Sequence, residues 1–182
     1  MLPVLCFGII VPLALIVAVL GIWKNPSRWR LFFPMLVYVL FVGAYCYIPG
    51  TNSNVDLVRY FPEVELYGEM SLSEAFSYAD DVLYARDFLF WLCGHLHATH
   101  LVPAITTAAV YGVAGYISCD SAERCDAKRY IGGILLFQLM MLPYISIINN
   151  IRNVSGFSLI ILAAYLDIVK QKKTIWVWLC YL

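Results

Sequence analysis

Long apolar stretches with almost no charge recur along this chain, and they constrain its fold more than any other feature. Residues 2–23 form the first, which is long enough to cross a hydrocarbon layer about 30 Å thick. Further stretches occupy residues 31–48, 101–117, 130–148, 154–169 and 174–182. Because a chain in lipid must satisfy its backbone polar groups internally, each stretch is predicted to be helical.

The overall composition agrees with a membrane protein. Of the 182 residues, 62% are hydrophobic and 13% are charged, and the mean hydropathy is +0.78. Soluble domains carry about 25% charged residues. The shortage of charge excludes a disordered chain, and the net charge of zero excludes a basic nucleic-acid-binding face. We therefore expect a lipid bilayer, and no nucleic acid, among the partners.

The charges predict an orientation. Basic residues gather in three turns, at residues 24–30, 118–129 and 170–173, and the alternation of spans places all three on one side. Cytoplasmic loops are rich in Lys and Arg, so this side is predicted to be cytoplasmic and the N-terminus to lie outside. Within the last of these turns Lys170 follows Asp167 at a spacing that predicts a local ion pair.

The loop at residues 49–87 is predicted to lie outside. It has 39 residues and a net charge of −6, with eight acids against Arg59 and Arg86. A connection of this length is uncommon unless it is functional. Ser71 and Glu74 form the sequence pattern of a capping box, which predicts a helix start. Apolar positions then follow at helical spacing and predict an amphipathic helix on the membrane surface; they are Phe76, Ala79, Leu83 and Phe90.

These features predict an all-α fold. The chain is expected to be one transmembrane domain over residues 1–182, a polytopic helical bundle of about five spans plus a truncated sixth, with an amphipathic helical loop on the outer face. The apolar stretch at residues 174–182 is too short to cross a bilayer. We therefore expect the chain to be the N-terminal part of a longer protein.

Arg152 is the most informative of the cations predicted to lie outside. It stands in a short polar turn between two apolar stretches, where a guanidinium is costly without a partner. One interpretation is anchoring to lipid phosphates by snorkelling. The other is a bidentate grip on an anionic substrate group, most naturally a phosphate, which matches the planar guanidinium.

Asp56 and Arg59 are three positions apart, which places them on one face of a helix. They form either a surface ion pair or a carboxylate base beside an anion-binding arginine.

The histidines and cysteines predict no metal or cofactor. His97 and His100 would share a helix face, with His95 nearby, but no carboxylate accompanies them at ligand spacing. Polar histidines lining an interfacial cleft are therefore favoured over a metal site. Most of the six cysteines lie within apolar runs and are predicted to be packing residues rather than a disulfide framework.

The order of short motifs resembles the EpsG-type branch of the bacterial Wzy-like polysaccharide polymerases. The segments that carry this resemblance are NVDLVRYF (residues 54–61), ARDFLFWL (residues 85–92), NIRN (residues 150–153) and the Lys-rich turn KQKK (residues 170–173). In that family an acidic-and-arginine element on the outer face is opposed by an arginine at the start of a later span. The resemblance covers most of the chain from about Asn52 onward.

The resemblance implies a GT-C-like multi-pass glycosyltransferase of the bacterial cytoplasmic (inner) membrane. Such an enzyme extends exopolysaccharide, capsule or O-antigen from polyprenyl-diphosphate-linked repeat units, as an O-antigen polymerase does, and can work with other polysaccharide-assembly membrane proteins. By position, Arg59 and Arg152 would hold the diphosphate and Asp56 would activate the acceptor. Tyr60, Arg86 and Asn153 are the expected substrate-binding residues, and no cofactor is expected.

Two other functions remain open at this stage. The first is a non-catalytic transporter or flippase for lipid-linked sugars, and the second is a small structural membrane subunit. Members of the resembling family continue through several further spans, so activity of these 182 residues alone is doubtful.

Overall fold

The computed structural model describes residues 56–78, 84–127 and 150–171, together with the single positions 36, 39, 40, 130, 146, 147 and 177. All regular structure in this part of the chain is helical, which confirms the all-α prediction there. The helices are α1 (Asp56–Gly68), α2 (Leu72–Tyr78), α3 (Tyr84–His95), α4 (Leu101–Arg124) and α5 (Ile151–Ala164). A π-helical turn, Tyr165–Val169, continues α5.

Two of the described helices are long and apolar enough to cross a membrane, Leu101–Arg124 and Ile151–Val169. They coincide with the predicted spans at residues 101–117 and 154–169, although α4 continues past Ile117. The other predicted spans, at residues 2–23, 31–48, 130–148 and 174–182, lie outside the described residues apart from single positions. The five-span bundle therefore stays a prediction.

Helices α1, α2 and α3 pack together around a buried group of side chains that we call the lobe cluster. Its members are Leu57, Val64, Tyr67, Ala75, Phe90, Cys93, Val102 and Ile151. The buried positions of α1, at 57, 64 and 67, recur at helical spacing and so form one apolar face. Burying a side chain of this size stabilises a fold by about 1.5–3 kcal/mol. The lobe cluster therefore holds α1 and α3 against the first turn of α4.

The predicted membrane-surface face in this region is wrong in part. Phe90, one of its members, is 2% exposed and belongs to the lobe cluster, and Phe76 is half-buried. Ala79 and Leu83 lie outside the described residues. Helical periodicity identified apolar positions correctly, but Phe90 packs against Tyr60 and Tyr67 of α1, and Phe76 in α2 packs against Tyr84 of α3. The capping box is confirmed, because the Ser71 N–H donates to Glu74 Oε2 at 2.8 Å and the Glu74 N–H donates to Ser71 Oγ at 3.4 Å.

Helices α4 and α5 run parallel to each other. Near their first residues, Val102 and Ile151 share the lobe cluster. At their other ends, Lys170 Nζ lies 2.6 Å from Asp120 Oδ1. Both helices therefore run from the lobe cluster toward the pair formed by Asp120 and Lys170.

Candidate functional site

Arg59 and Tyr60 lie in the first turns of α1. The Arg59 side chain is exposed, whereas Tyr60 is half-buried against the lobe cluster, with its ring centroid 5.4 Å from that of Phe90. Asp56 is the first residue of the same helix, so it shares an element with Arg59 as predicted. The side chain of Asp56 lies outside what the structure describes.

Arg152 and Asn153 lie in the first turn of α5. Arg152 is exposed, and among the described residues its guanidinium makes neither a hydrogen bond nor an ion pair. Asn153 Nδ2 donates to Asn150 Oδ1 at 2.9 Å, so the side chain of Asn153 in α5 binds that of the residue that immediately precedes the helix. The backbone N–H groups at the start of a helix precede the first carbonyls of the helix and so lack helical partners, and here they belong to residues 151–153; such groups favour a negative charge nearby. Arg152 and the start of α5 together are therefore suited to an anion.

The structure brings the two arginine-bearing turns to the same buried cluster. Leu57 immediately follows Asp56 in α1, and Ile151 immediately precedes Arg152 in α5. Both apolar side chains are members of the lobe cluster, at 0% and 3% exposure. Arg59 and Arg152 thus stand on the exposed surface around one packed core, at the same end of the α4–α5 pair.

Arg86 forms an ion pair with Asp87. Its Nε and Nη2 atoms donate to Asp87 Oδ1 at 3.0 and 2.8 Å, and the Tyr67 hydroxyl donates to the same oxygen at 3.1 Å. Burial and then the bond to Asp87 raise the pKa of Tyr67 to about 12. Asp87 Oδ2 is buried and accepts no hydrogen bond from the residues that the structure describes. A substrate anion would have to compete with Asp87 for Arg86.

A second polar group, which sequence reasoning missed, joins the far ends of α4 and α5. Asp120 is 1% exposed, and neighbouring side chains donate to its carboxylate. Lys170 Nζ donates to Oδ1 at 2.6 Å, while Tyr165 Oη and Arg124 Nε donate to Oδ2 at 2.8 and 3.1 Å. Arg124 Nη1 also donates to the carbonyl of Val169 at 3.1 Å, at the end of the π-helical turn. We call these four side chains the Asp120 network.

The predicted Asp167–Lys170 ion pair is wrong. Lys170 pairs with Asp120 instead, and Asp167 makes no ion pair among the described residues. The buried carboxylate of Asp120 is the better partner because it is shielded from water, whereas a local pair on a helix surface contributes only about 0.2–0.5 kcal/mol. The signal available in the sequence was Arg124, which follows Asp120 at helical i,i+4 spacing.

His97 and His100 do not share a helix face, because both lie in the turn between α3 and α4. His97 has a left-handed backbone, with φ 49°, and its N–H donates to the carbonyl of Gly94 while the N–H of Ala98 reaches Cys93. These bonds form a Schellman motif that ends α3. His95 instead stacks on Trp91, with ring centroids 4.8 Å apart. The residues described contain no cluster of metal-ligating side chains.

The cysteines in the described residues are free thiols. Cys93 and Cys119 are buried, as packing residues should be, and Cys125 is exposed. Burial raises the pKa of Cys93 to about 11, so its thiol stays protonated and unreactive.

Two cavities differ in the ligands that they could accept. One of about 510 Å³ lies between α1 and α2, and the carboxylates of Glu69 and Glu74 line it, which makes it unsuited to an anion. The other, of about 450 Å³, lies between α4 and α5. Its lining is almost entirely apolar, and residues that contribute to it are Leu36, Ala108, Gly112, Val113, Leu159 and Leu162. A hydrocarbon chain fits this second lining chemically.

No protein-family model, no curated protein and no solved structure matches the chain.

Proposed function

We propose that this protein is a membrane glycosyltransferase of the polysaccharide-polymerase type, acting on polyprenyl-diphosphate-linked repeat units at the outer face of a bacterial cytoplasmic membrane. The observation that carries the proposal is the pair of exposed arginines, Arg59 and Arg152, set around the lobe cluster at the start of a candidate span. A diphosphate needs cations at the membrane surface, and arginine binds phosphate oxygens through two parallel hydrogen bonds.

The apolar cavity between α4 and α5 supports the same class of substrate. A polyprenyl diphosphate joins a charged head to a long hydrocarbon chain. The described residues offer an apolar groove along the α4–α5 pair and an arginine at the start of that pair. Both parts of such a lipid therefore have a chemically matched surface on the same two helices.

In the proposed reaction a sugar hydroxyl of the acceptor attacks the anomeric carbon of the donor. A glycosidic C–O bond forms as the C–O bond to the diphosphate breaks, and the electron pair leaves with the diphosphate. Asp56, in the role implied by the family resemblance, takes the hydroxyl proton. Arg59 and Arg152 stabilise the charge on the departing diphosphate, a task that preorganised donors perform without covalent chemistry.

The test uses the variants Arg152→Ala and Arg59→Lys in cells whose polysaccharide depends on this protein. We expect each to lower polymer formation by about 10²-fold or more, because a lost transition-state donor costs this much. Repeat units should then accumulate on the outer face. Glu65→Gln, which removes an exposed charge from α1, is the matched control and should leave polymer unchanged.

Two outcomes would contradict the proposal. Normal polymer from both arginine variants would exclude binding of the diphosphate by Arg59 and Arg152. Repeat units trapped on the inner face would identify the protein as a flippase for lipid-linked sugars, the alternative function.

A further inference from the structure

Helix α3 carries a row of rings along one side, of which Trp91 is half-buried against the lobe cluster and the others are exposed. Tyr84, Phe88, Trp91 and His95 recur at i, i+4, i+7 and i+11, which is one stripe of an α-helix. Tyr84 is 57% exposed and Phe88 is 46% exposed, and Leu96, in the turn just after the helix, is 59% exposed. The buried residues of α3, which include Phe90 and Cys93, occupy the other face. We call Tyr84, Phe88, Trp91, His95 and Leu96 the α3 row.

The middle of the α3 row is held in place by contacts within the protein. Trp91 stacks on Phe88, with ring centroids 6.2 Å apart, and on His95, with centroids 4.8 Å apart. Its indole N–H donates to the carbonyl of Met70 at 3.1 Å. The rings are thus ordered before anything binds, and little side-chain entropy remains to be lost on contact.

The α3 row carries no formal charge, unlike the rest of the lobe. Arg86 and Asp87 are the only Arg, Lys, Asp or Glu residues of α3, and they neutralise each other in the pair described above. By contrast, the carboxylates of Glu65 in α1, Glu69 in the following turn and Glu74 in α2 are exposed. The exposed negative charge of the lobe therefore lies outside α3, on helices that also expose Leu66, Leu72 and Tyr78.

The chain also places this row close to the candidate membrane segment. Helix α3 ends at His95, and α4, the longer candidate span, begins at Leu101 and packs against α3. Aromatic side chains are enriched at the level of the lipid headgroups, and a helix with one apolar face binds there parallel to the membrane plane. Acidic side chains are expected to remain in water.

We propose that α3 lies along the outer interface of the bilayer, with the α3 row in the boundary between headgroups and acyl chains and with α1 and α2 on the aqueous side. This inference rests on the membrane location in the proposed function but not on its chemistry. The sequence predicted that the face containing Phe90 would lie on the membrane. Because Phe90 is buried, we assign that role to the opposite face of α3.

The test uses the unaltered chain in phosphatidylcholine and phosphatidylglycerol vesicles that contain a phospholipid with a photoreactive diazirine near its ester group. After illumination, mass spectrometry locates the lipid adducts. We expect adducts on the α3 row, several-fold above those on α2, and on the exposed apolar side chains of α5, which include Phe157, Ile160 and Ile161. A diazirine at the end of the acyl chain should label α5 and leave the α3 row unlabelled.

Labelling of α5 without the α3 row would overturn the inference while leaving the membrane location intact. Absence of labelling on both would overturn the membrane location, and with it the proposed function. A second measurement uses spin labels at Phe88→Cys and, as the matched control on α2, at Ser73→Cys. The label at position 88 should be relaxed more by oxygen than by a water-soluble nickel chelate, and the label at position 73 should show the reverse. Equal access of the chelate to both positions would also overturn the inference.

Discussion

Two aspartates, Asp87 and Asp120, are each 1% exposed, and each is paired with at least one cation and accepts a hydrogen bond from a tyrosine hydroxyl. They differ in what they join. Asp87 binds Arg86 and Tyr67 within the lobe, so it connects α3 to α1. Asp120 binds Lys170 and Tyr165, which lie 50 and 45 residues along the chain. Removing the partners of such a buried carboxylate strongly destabilises the folded protein. The reason is that an unpaired charge has a much higher free energy in the interior than at the exposed surface.

Replacing Asp120 by Asn should destabilise the protein by about 3 kcal/mol, because Lys170 is left buried without its anion. The Lys170 contact carries most of this effect, since its side chain is 15% exposed while that of Arg124 is 45% exposed. Denaturation in mixed micelles, followed by circular dichroism, measures the change. Asp167→Asn is the control and should have little effect; equal stability of the two variants would contradict the role of the Asp120 network.

At the scale of the elements, α1 and α3 cross with their backbones in contact at a pair of glycines. A Cβ atom added to Gly94 would meet the carbonyl of Val64 and would lie 2.6 Å from the Gly68 backbone nitrogen. A Cβ added to Gly68 would lie 2.6 Å from the Gly94 carbonyl carbon. Backbone atoms cannot move aside as a flexible side chain can, so only glycine permits this approach. The crossing sets how closely Phe90 and Tyr67 pack.

Gly94→Ala should therefore separate α1 from α3 and destabilise the lobe by at least about 2 kcal/mol, as overpacking does. Gly156→Ala in α5 is a matched control, since a Cβ there meets nothing within 4 Å. That variant should be neutral or more stable by about 0.5–1 kcal/mol, because alanine favours the helix. Thermal unfolding of both variants gives the comparison, and a stable Gly94→Ala protein would contradict the crossing.

The start of α2 should respond to acid. Hydrogen bonds from Ser71, its side chain first and its backbone second, lower the pKa of Glu74 below the ordinary value of 4.5. Because the folded pKa is depressed, this stabilisation is complete above the ordinary value and is lost as the pH falls through the folded value. A carbon-13 NMR titration of the Glu74 carboxyl measures the shift. In Ser71→Ala the pKa should move back toward 4.5, and an unchanged value would exclude the Ser71 hydroxyl as its main cause.

At the scale of the whole molecule, the described helices form two packed groups, α1 to α3 and α4 with α5, which meet at the start of α4. One end of α4 packs into the lobe cluster through Val102, and the other end carries Asp120. Helix α4 is largely enclosed by its neighbours, with 61% of its apolar window buried, whereas α5 has only 17% buried. In the proposed membrane setting, α4 is therefore the central span and α5 presents its apolar face to lipid.

The proposed orientation predicts which side of the membrane each end occupies. Cys125 is exposed just beyond α4 and should lie inside. In spheroplasts producing a variant that retains only this cysteine, a membrane-impermeant maleimide should label it only after the membrane is permeabilised. A cysteine at Ser73 in a cysteine-free background should be labelled without permeabilisation. The opposite pattern would show that the chain is inverted.

Features that depend on near neighbours in the chain were predictable from the sequence. The capping box joins residues three apart, and the hydropathy of residues 101–117 and 154–169 located the two long helices. The extension of α4 to Arg124 was not predicted because charged residues ended the apolar stretch. Of those charged residues only Asp120 is buried, and Lys170 and Tyr165 supply its distant partners.

The sequence by itself determined helical structure, the positions of two long apolar helices and the uneven distribution of charge, because hydropathy and capping act over a few residues. The tertiary structure decided which face of α3 is buried, that Lys170 pairs with Asp120 instead of Asp167, and that the turns carrying Arg59 and Arg152 share one cluster. The physical reason is common to all three. Each depends on groups far apart in the chain that must exclude water together, and periodicity in one segment contains no information about its partner.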